Sequence, residues 1–226
     1  MMIEDIKKEL NGMATEKLRD FQSRLIPNSL PILGVKIPDV RKLAKRLCRE
    51  EYHSFLIEYD ESSFEIELLY AFVIAQAKMD FSSRISYLKA FIPRIRDWAI
   101  CDCLVASLKC TKQNPELMLA FLKEYQKSTR EYEVRFVAVM LLSYYLNDEY
   151  VVEAVNMIQS LDCTTYYAKM GVAWFIATLM IQYKEEAFAI LKSTRDTKLI
   201  QMTIRKVRDS YRISKEDKEL ILKLKR

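Results

Sequence analysis

Glycine is the residue that most constrains this chain, because only three glycines occur among its 226 residues. Average usage would give roughly 16 at this length. Sheets and hairpins need turns that glycine fills best, so a sheet-rich fold is disfavoured. The shortage predicts helices joined by short connections, and it excludes Gly-rich phosphate loops and dinucleotide-binding folds.

Hydrophobic residues recur at helical spacing along nearly the whole chain. We therefore expect an all-α protein without a sheet. Ser214, followed by Asp217 three residues later, and Asn114 before Pro115 are typical of helix N-caps. The predicted helices cover about 3–11, 14–26, 36–46, 50–59, 63–79, 81–92, 96–110, 114–127, 131–146, 148–160, 163–182, 184–193, 196–210 and 214–225.

Three of the predicted helices resemble one another, since each opens with polar residues and continues as an Ala, Val and Leu-rich segment. Trp98, Arg135 and Trp174 fall near their starts, 37 and 39 residues apart. A two-helix unit that recurs every ~40 residues is typical of HEAT or armadillo-like solenoids. We predict a single domain over 1–226, an α-solenoid of about six HEAT-like antiparallel helix pairs, curved with a concave basic face.

Positive charge is concentrated at the C-terminal end. The net charge is +5, but residues 192–226 alone contain 12 Lys and Arg against five Asp and Glu. Such a region can bind a polyanion by neutralising phosphates, or it can be an ordinary solvated surface. A second basic stripe lies on the predicted helix 36–46, and it consists of Arg41, Lys42, Lys45 and Arg46.

Several classes of chemistry are disfavoured by composition. His53 is the only histidine and the five cysteines are widely spaced, so we expect no metal site and no disulfide framework. We interpret the cysteines as small buried residues in a reducing compartment. No signal segment or membrane-spanning apolar run is evident, so we expect a cytoplasmic protein without a membrane contact.

Trp98 and Asp102 are the first candidate site residues, because positions i and i+4 share one face of a helix. On another helix Trp174 follows Met170 by one turn and Tyr166 and Tyr167 by about two. Taken singly, each aromatic residue is more often part of a core. Their equivalent places in successive repeats favour a shared functional surface on the inner helices.

These segments together resemble the AlkD-like DNA alkylation repair proteins, which are bacterial HEAT-like repeat glycosylases. The resemblance covers nearly the whole chain. It is carried by LGVKIPDVRKL (33–43), FIPRIRDWAICD (91–102), EVRF (133–136), YYAKMGVAW (166–174) and IRKVRDSYRIS (204–214).

The resemblance implies a catalytic site in which Trp98 and Trp174 flank the damaged nucleotide and Asp102 is the catalytic carboxylate. It also implies that Arg135 holds the DNA backbone and that two tyrosines lie near the duplex. Basic residues of 204–214 are expected to assist on electrostatic grounds. The expected DNA-binding residues are Arg135, Tyr166, Tyr167, Arg205, Lys206 and Arg208.

The chemistry agrees with these roles. An N3- or N7-alkylated purine is cationic and leaves without a general acid, so the protein has to stabilise an oxocarbenium-like sugar. A carboxylate and indole faces can do this with no cofactor and no metal. We therefore expect a monomeric glycosylase that excises 3-methyladenine or 7-methylguanine from double-stranded DNA in the bacterial cytoplasm, associated with the nucleoid.

Three positions depart from active relatives. Leu25 stands where some have a tyrosine, and Ser143 and Ala177 stand where they carry basic residues. Fewer backbone contacts weaken DNA affinity before they affect chemistry. Two alternatives therefore stay open: a non-catalytic paralogue that binds damaged or branched DNA, and a protein–protein scaffold.

Overall fold

The computed structural model describes residues 2–26, 29–50 and 52–224, and all regular structure within them is helical. Two short 3₁₀ segments, Ile92–Arg94 and Lys109–Gln113, accompany fourteen α-helices. The all-α prediction is confirmed. The helices are α1 (Ile3–Met13), α2 (Glu16–Leu25), α3 (Ile37–Leu47), α4 (Tyr52–Glu58), α5 (Phe64–Gln76), α6 (Phe81–Phe91), α7 (Trp98–Ser107), α8 (Pro115–Lys123), α9 (Glu131–Tyr144), α10 (Val151–Ser160), α11 (Tyr166–Leu179), α12 (Lys184–Ser193), α13 (Thr197–Asp209) and α14 (Lys215–Leu222).

Consecutive helices contact each other in several places: α5 packs against α6, α11 against α12, and α13 against α14. Helix α5 packs against α3 and α7, while α11 packs against α9 and α13. Residues 64–75 of α5 are buried on every side, as expected for a helix enclosed by neighbours. The predicted solenoid of helix pairs is thereby confirmed. Among the described residues, no helix combines the length and apolarity that crossing a membrane requires.

The chain divides into two compact units, Met1–Gln113 and Asn114–Arg226. The first unit contains the row of helices α3, α5 and α7, and the second contains the row α9, α11 and α13. The single domain over 1–226 stays a prediction.

Aspartate side chains cap the N-terminal ends of α7 and α13. Asp97 begins α7 by accepting a hydrogen bond from Ile100 N at 2.9 Å, and Asp196 begins α13 in the same way through Leu199 N, also at 2.9 Å. Both carboxylates lie at the positive end of a helix dipole. The predicted cap at Ser214 is confirmed, whereas α8 begins after Asn114 without a side-chain cap.

The prediction that the five cysteines are buried and form no disulfide framework is correct only in part. None of the five cysteines forms a disulfide bond. Cys101 is buried, but the prediction of burial is wrong for the other four, which keep partial exposure. These four are Cys48, Cys103, Cys110 and Cys163.

A buried carboxylate fixes the segment between α2 and α3. Glu65 of α5 is fully buried, and its oxygens accept hydrogen bonds from the backbone N–H groups of Leu33, Gly34 and Val35 at 2.9, 2.8 and 3.1 Å. The Gly34 carbonyl in turn accepts from Thr15 N at 2.9 Å. Helix α5 thereby holds the approach to α3 and the start of α2 together.

Gly34 is required at this point for two reasons. Its φ is +94°, a conformation that L side chains rarely adopt, and a Cβ there would lie 2.3 Å from Thr15 O. Neither the backbone of Thr15 nor the Glu65 cluster can move away cheaply.

We expect Gly34→Ala to lower the free energy of unfolding by at least about 2 kcal/mol, through positive-φ strain and backbone overlap. Gly12→Ala is the matched control, because Gly12 lies in α1 with nothing within 4 Å of an added Cβ. That substitution should leave stability unchanged or raise it by up to about 1 kcal/mol. Urea unfolding of the three proteins tests this, and equal effects of both substitutions would contradict it.

Candidate functional site

Trp98 and Asp102 project from one face of α7 into a shared cavity of about 370 Å³. Both side chains are half-buried. The Trp98 indole Nε1–H donates a hydrogen bond to the carbonyl of Leu25 at 3.2 Å, which ties the ring to the end of α2. The predicted i, i+4 pairing thus corresponds to two side chains that line one concave site.

The walls of this cavity come from residues that the sequence did not single out as functional. Helix α2 contributes Leu18, Phe21 and Leu25, and the start of α3 contributes Ile37 and Pro38. Apart from Asp102, the lining is largely apolar, which lowers the local dielectric around the carboxylate. In the sequence Leu25 is distinguished only as a departure from active relatives, and its neighbours on α2 show ordinary amphipathicity.

Two acidic residues at the start of α7, Asp97 and Asp102, have different roles. Asp97 is 1% exposed; its carboxylate caps the helix and accepts from Ser29 Oγ at 3.1 Å. Asp102 lies one turn into the helix and faces the cavity. Asp97 is thus committed to structure, and Asp102 is the acid placed to meet a ligand.

Cys103 also lines the cavity, but it is not placed to act as a nucleophile. Burial raises the pKa of its thiol to about 11, so it stays protonated near neutral pH. A thiol nucleophile or metal ligand has to be a thiolate. Asp102 is therefore the acidic group that gives this cavity its negative charge.

A second buried acid lies near the start of α7. Glu67 of α5 is fully buried, and neither of its carboxyl oxygens has a hydrogen-bond partner among the described residues. Burial raises the pKa of the Glu67 carboxyl to about 8, and the nearby Asp97 carboxyl adds to the rise. Glu67 is therefore largely protonated in the folded protein at neutral pH.

This environment predicts a pH-dependent stability. The pKa of Glu67 in the folded protein lies above its ordinary value of 4.5. The contribution of the neutral carboxyl to the free energy of unfolding is therefore fully present below pH 4.5 and is lost as pH rises through 8. We expect Glu67→Gln to gain stability relative to wild type across this window, by up to about 1.4 kcal/mol per pH unit. Urea unfolding at pH 5, 7 and 9 measures the difference. A constant difference at all three values would contradict the assignment.

In the second unit Trp174 lies half-buried on α11 and lines a cleft of about 260 Å³. The Lys206 ammonium of α13 lies 5.5 Å from the centroid of its ring, within the range of a cation–π contact. Arg212 lines the same cleft, together with Ala177 one turn along α11. The Lys206 ammonium from α13 and the side chain of Arg212, which follows that helix, therefore line the cleft beside the indole.

Arg135 lies inside the packing between α9 and α11. Its side chain is 4% exposed, and its guanidinium donates to the carbonyl of Tyr167 at 3.1 Å. A Cβ added to Gly171 would contact Arg135 Cγ at 3.4 Å, so α11 passes close to its aliphatic part. The geometry gives Arg135 a structural role as a tie between two helices, and its contact with DNA stays a prediction.

The two predicted tyrosines form an edge-to-face pair with ring centroids 5.0 Å apart. Tyr167 also stacks on Tyr132 of α9 at 5.7 Å and is partly buried. Tyr166 is 49% exposed, and the Lys198 ammonium lies 5.7 Å from its ring centroid. Tyr166 is thus the member of the pair that solvent and a ligand can reach.

The predicted basic residues of α13 do not share one face. Arg205 and Arg208 are exposed and line a cleft of about 350 Å³ with Gln201. Lys206 points instead into the cleft of Trp174. The helical repeat accounts for this division, because adjacent positions differ by about 100° around the axis.

The basic stripe on α3 is partly engaged in contacts within its own unit. Arg41 donates to Ser107 Oγ at 2.7 Å and lies 4.1 Å above the Phe72 ring. Lys42 pairs with Asp39 on the same helix. Arg46 pairs with Glu9 of α1, so the stripe is less cationic than its sequence suggests.

In the part of the chain that the structure describes, no group of three or more His, Cys, Asp or Glu side chains is arranged to hold a metal ion. The described sites offer charged and aromatic side chains. Unit 1 provides one carboxylate and one indole in a largely apolar cavity. Unit 2 provides aromatic rings accompanied by lysines.

The all-helical fold agrees with the comparison of the chain with known families. A family of DNA alkylation repair enzymes matches residues 6–208. The chain therefore belongs to the DNA alkylation repair enzyme family, as its sequence motifs had indicated. A comparison with curated proteins found no match.

Proposed function

We propose that the protein is a DNA glycosylase that hydrolyses the N-glycosidic bond of cationic alkylated purines in duplex DNA. The observation that carries the proposal is the Asp102 carboxylate beside the Trp98 indole at a cavity with a largely apolar lining. Membership of a DNA alkylation repair family supplies the substrate class. Lesions of the 3-methyladenine and 7-methylguanine type fit this site because they carry a positive charge before the reaction starts.

The proposed reaction needs stabilisation of positive charge. The bond between C1′ and the purine nitrogen breaks, and its electron pair leaves with the base, which becomes neutral. Positive charge then develops on the sugar, where the Asp102 carboxylate and the Trp98 ring face stabilise it. Water adds to C1′ and releases a proton. No protonation of the leaving base is required.

The apolar walls strengthen this electrostatic effect. Leu18, Phe21 and Ile37 line the same cavity as the Asp102 carboxylate and place apolar surface around it. In a half-shielded site with an effective dielectric constant of about 20, a carboxylate ~4 Å from a developing charge contributes about 4 kcal/mol. In bulk water the same pair would contribute about 1 kcal/mol. The cavity, rather than the acid alone, makes the proposed catalysis effective.

Trp174 and the basic residues of unit 2 complete the proposal. The family resemblance assigns Trp174 to the damaged nucleotide as a second indole. The exposed Tyr166, Arg205 and Arg208 are suited to contact sugars and phosphates, since each is accessible to solvent. Lys206 adds a cation beside Trp174.

A second candidate is a DNA-binding paralogue that has lost the reaction. Two observations favour it. Arg135 is committed to the packing of α9 and α11, and Ser143, where relatives are basic, is exposed and uncharged. Fewer phosphate contacts would weaken the hold on duplex DNA without altering Asp102.

We expect Asp102→Asn to slow the release of free base from N-methyl-purine DNA about a thousandfold, which corresponds to the ~4 kcal/mol above. Trp98→Ala should slow it about tens-fold, because a cation–π contact is worth about 1–2 kcal/mol. Asp5→Asn is a control, since it removes an exposed carboxylate of α1 that does not line the cavity. The measurement is base release in single turnover by purified protein.

The same assay separates the two candidates. If wild type releases base no faster than Asp102→Asn while both bind the DNA, the glycosylase proposal is wrong and the binding paralogue stands.

The proposed DNA binding predicts a specific dependence of affinity on salt concentration. We expect log K for a duplex to fall with log salt, at about −0.9 per phosphate neutralised. Arg205→Glu and Arg208→Glu should each weaken binding and make this slope shallower. Fluorescence anisotropy at a series of salt concentrations measures it. A protein–protein scaffold would instead bind its partner with little salt dependence and would tolerate both substitutions.

A further inference from the structure

Two lysine–aromatic contacts repeat at equal spacing along α11 and α13. The Lys198 ammonium lies 5.7 Å from the ring centroid of Tyr166, and the Lys206 ammonium lies 5.5 Å from that of Trp174. Both aromatic residues lie on α11 and both lysines on α13, and each pair of positions is separated by eight residues. The two packed helices therefore run in the same direction and present the same contact twice.

The spacing of the two contacts follows from helix geometry. Eight residues at 1.5 Å per residue separate them by about 12 Å along the helices. We call this arrangement the lysine–aromatic ladder, with Tyr166 and Lys198 as its first step and Trp174 and Lys206 as its second.

Both steps are open to a ligand. Tyr166 is 49% exposed and Lys198 is exposed, while Trp174 and Lys206 are half-buried at a cleft. Another lysine of α11 shows the contrast. Lys169 is buried and ion-paired with Asp196, so it serves the packing of α11 on α13. The ladder lysines lie over ring faces, where the ammonium keeps its charge available.

We propose that the lysine–aromatic ladder holds one strand of DNA, with Lys198 and Lys206 each neutralising a phosphate and with Tyr166 and Trp174 packing against sugars or an unstacked base. This inference rests on the proposed DNA binding and extends it. It assigns a role to Lys198, and it gives Lys206 and Trp174 a function in strand binding that does not depend on the chemistry of Asp102.

The chemistry of the ladder favours a nucleic-acid strand over an acidic peptide. A strand offers flat rings and phosphates in regular alternation, and proteins bind it with aromatic side chains beside cations. At 3.4 Å of rise per nucleotide, a 12 Å separation corresponds to roughly three to four nucleotides. An acidic peptide would use the lysines but would gain little from the two aromatic rings.

The test compares Lys198→Gln, Lys206→Gln and the double variant by fluorescence anisotropy with a duplex oligonucleotide between 50 and 300 mM salt. Each single substitution should make the slope of log K against log salt shallower by about 0.9, and the double variant by about 1.8. The corresponding loss of affinity is about fivefold to tenfold per lysine at 0.1 M salt. Tyr166→Ala should weaken binding while leaving the slope unchanged, because it removes a ring and no charge.

Two control variants lose the same single positive charge as the ladder variants. Lys192→Gln on α12 and Lys215→Gln on α14 remove the same charge from exposed positions of the same unit. They should change the slope by much less than the ladder variants. Urea unfolding of each variant verifies that the fold is intact, so that a loss of binding is not a loss of structure.

Three outcomes would contradict the proposed role of the ladder in DNA binding. The first is a double variant whose slope of log K against log salt equals that of wild type. The second is a change of this slope by the control substitutions as large as that by the ladder substitutions. The third is a polyglutamate peptide that competes with DNA as well as an unlabelled duplex of equal charge does. In these cases wild type still binds DNA with a steep salt dependence, so the proposed function survives. Salt-independent binding or no binding by wild type would instead reject the proposed function itself.

Discussion

The fully buried Glu65 carboxylate is the constraint on which the candidate site in unit 1 depends. It accepts three successive backbone N–H groups, at residues 33–35, and so converts a chain segment without regular structure into a fixed approach to α3. Gly34 makes the matching close contact with the start of α2. Because α2 and the start of α3 form the walls of the Trp98 cavity, a buried carboxylate on α5 defines the shape of a site that it does not touch.

Much of the fold was predictable because helices are encoded locally. The shortage of glycine and the 3.6-residue spacing predicted the helices, and the spacing of Trp98, Arg135 and Trp174 identified equivalent helices in successive pairs. The role of Glu65 was not predictable in this way. In the sequence it is an acidic residue in the first turn of a helix, which is ordinary at that position. Its partners lie 30 to 32 residues earlier, and only the packing of α5 against α3 brings them together.

The candidate site shows the same division between local and long-range information. The i, i+4 rule was enough to place Trp98 and Asp102 on one face. It could not reveal that α2 covers that face, since the Trp98–Leu25 hydrogen bond joins residues 73 positions apart. Arg135 shows the converse difficulty. A polar residue in an apolar helix suggests an exposed functional group, but a neighbouring carbonyl can satisfy it inside the packing, as Tyr167 does here.

The distribution of charge follows the demands of the two tasks that we assign. A carboxylate that stabilises a developing cation is most effective in an apolar setting, and a nearby fixed cation would cancel its field. In the cavity of unit 1, Lys36 is exposed at the lining, where water and salt screen it. Arg41 is held over Phe72 and donates to Ser107. Phosphate binding has the opposite requirement, because accessible cations are needed in water, and α13 presents Lys198, Arg205 and Arg208 at exposed positions. Because these cations lie on α13 rather than on the lining of the Asp102 cavity, they do not oppose the field that we propose the Asp102 carboxylate exerts on the positive charge of a lesion.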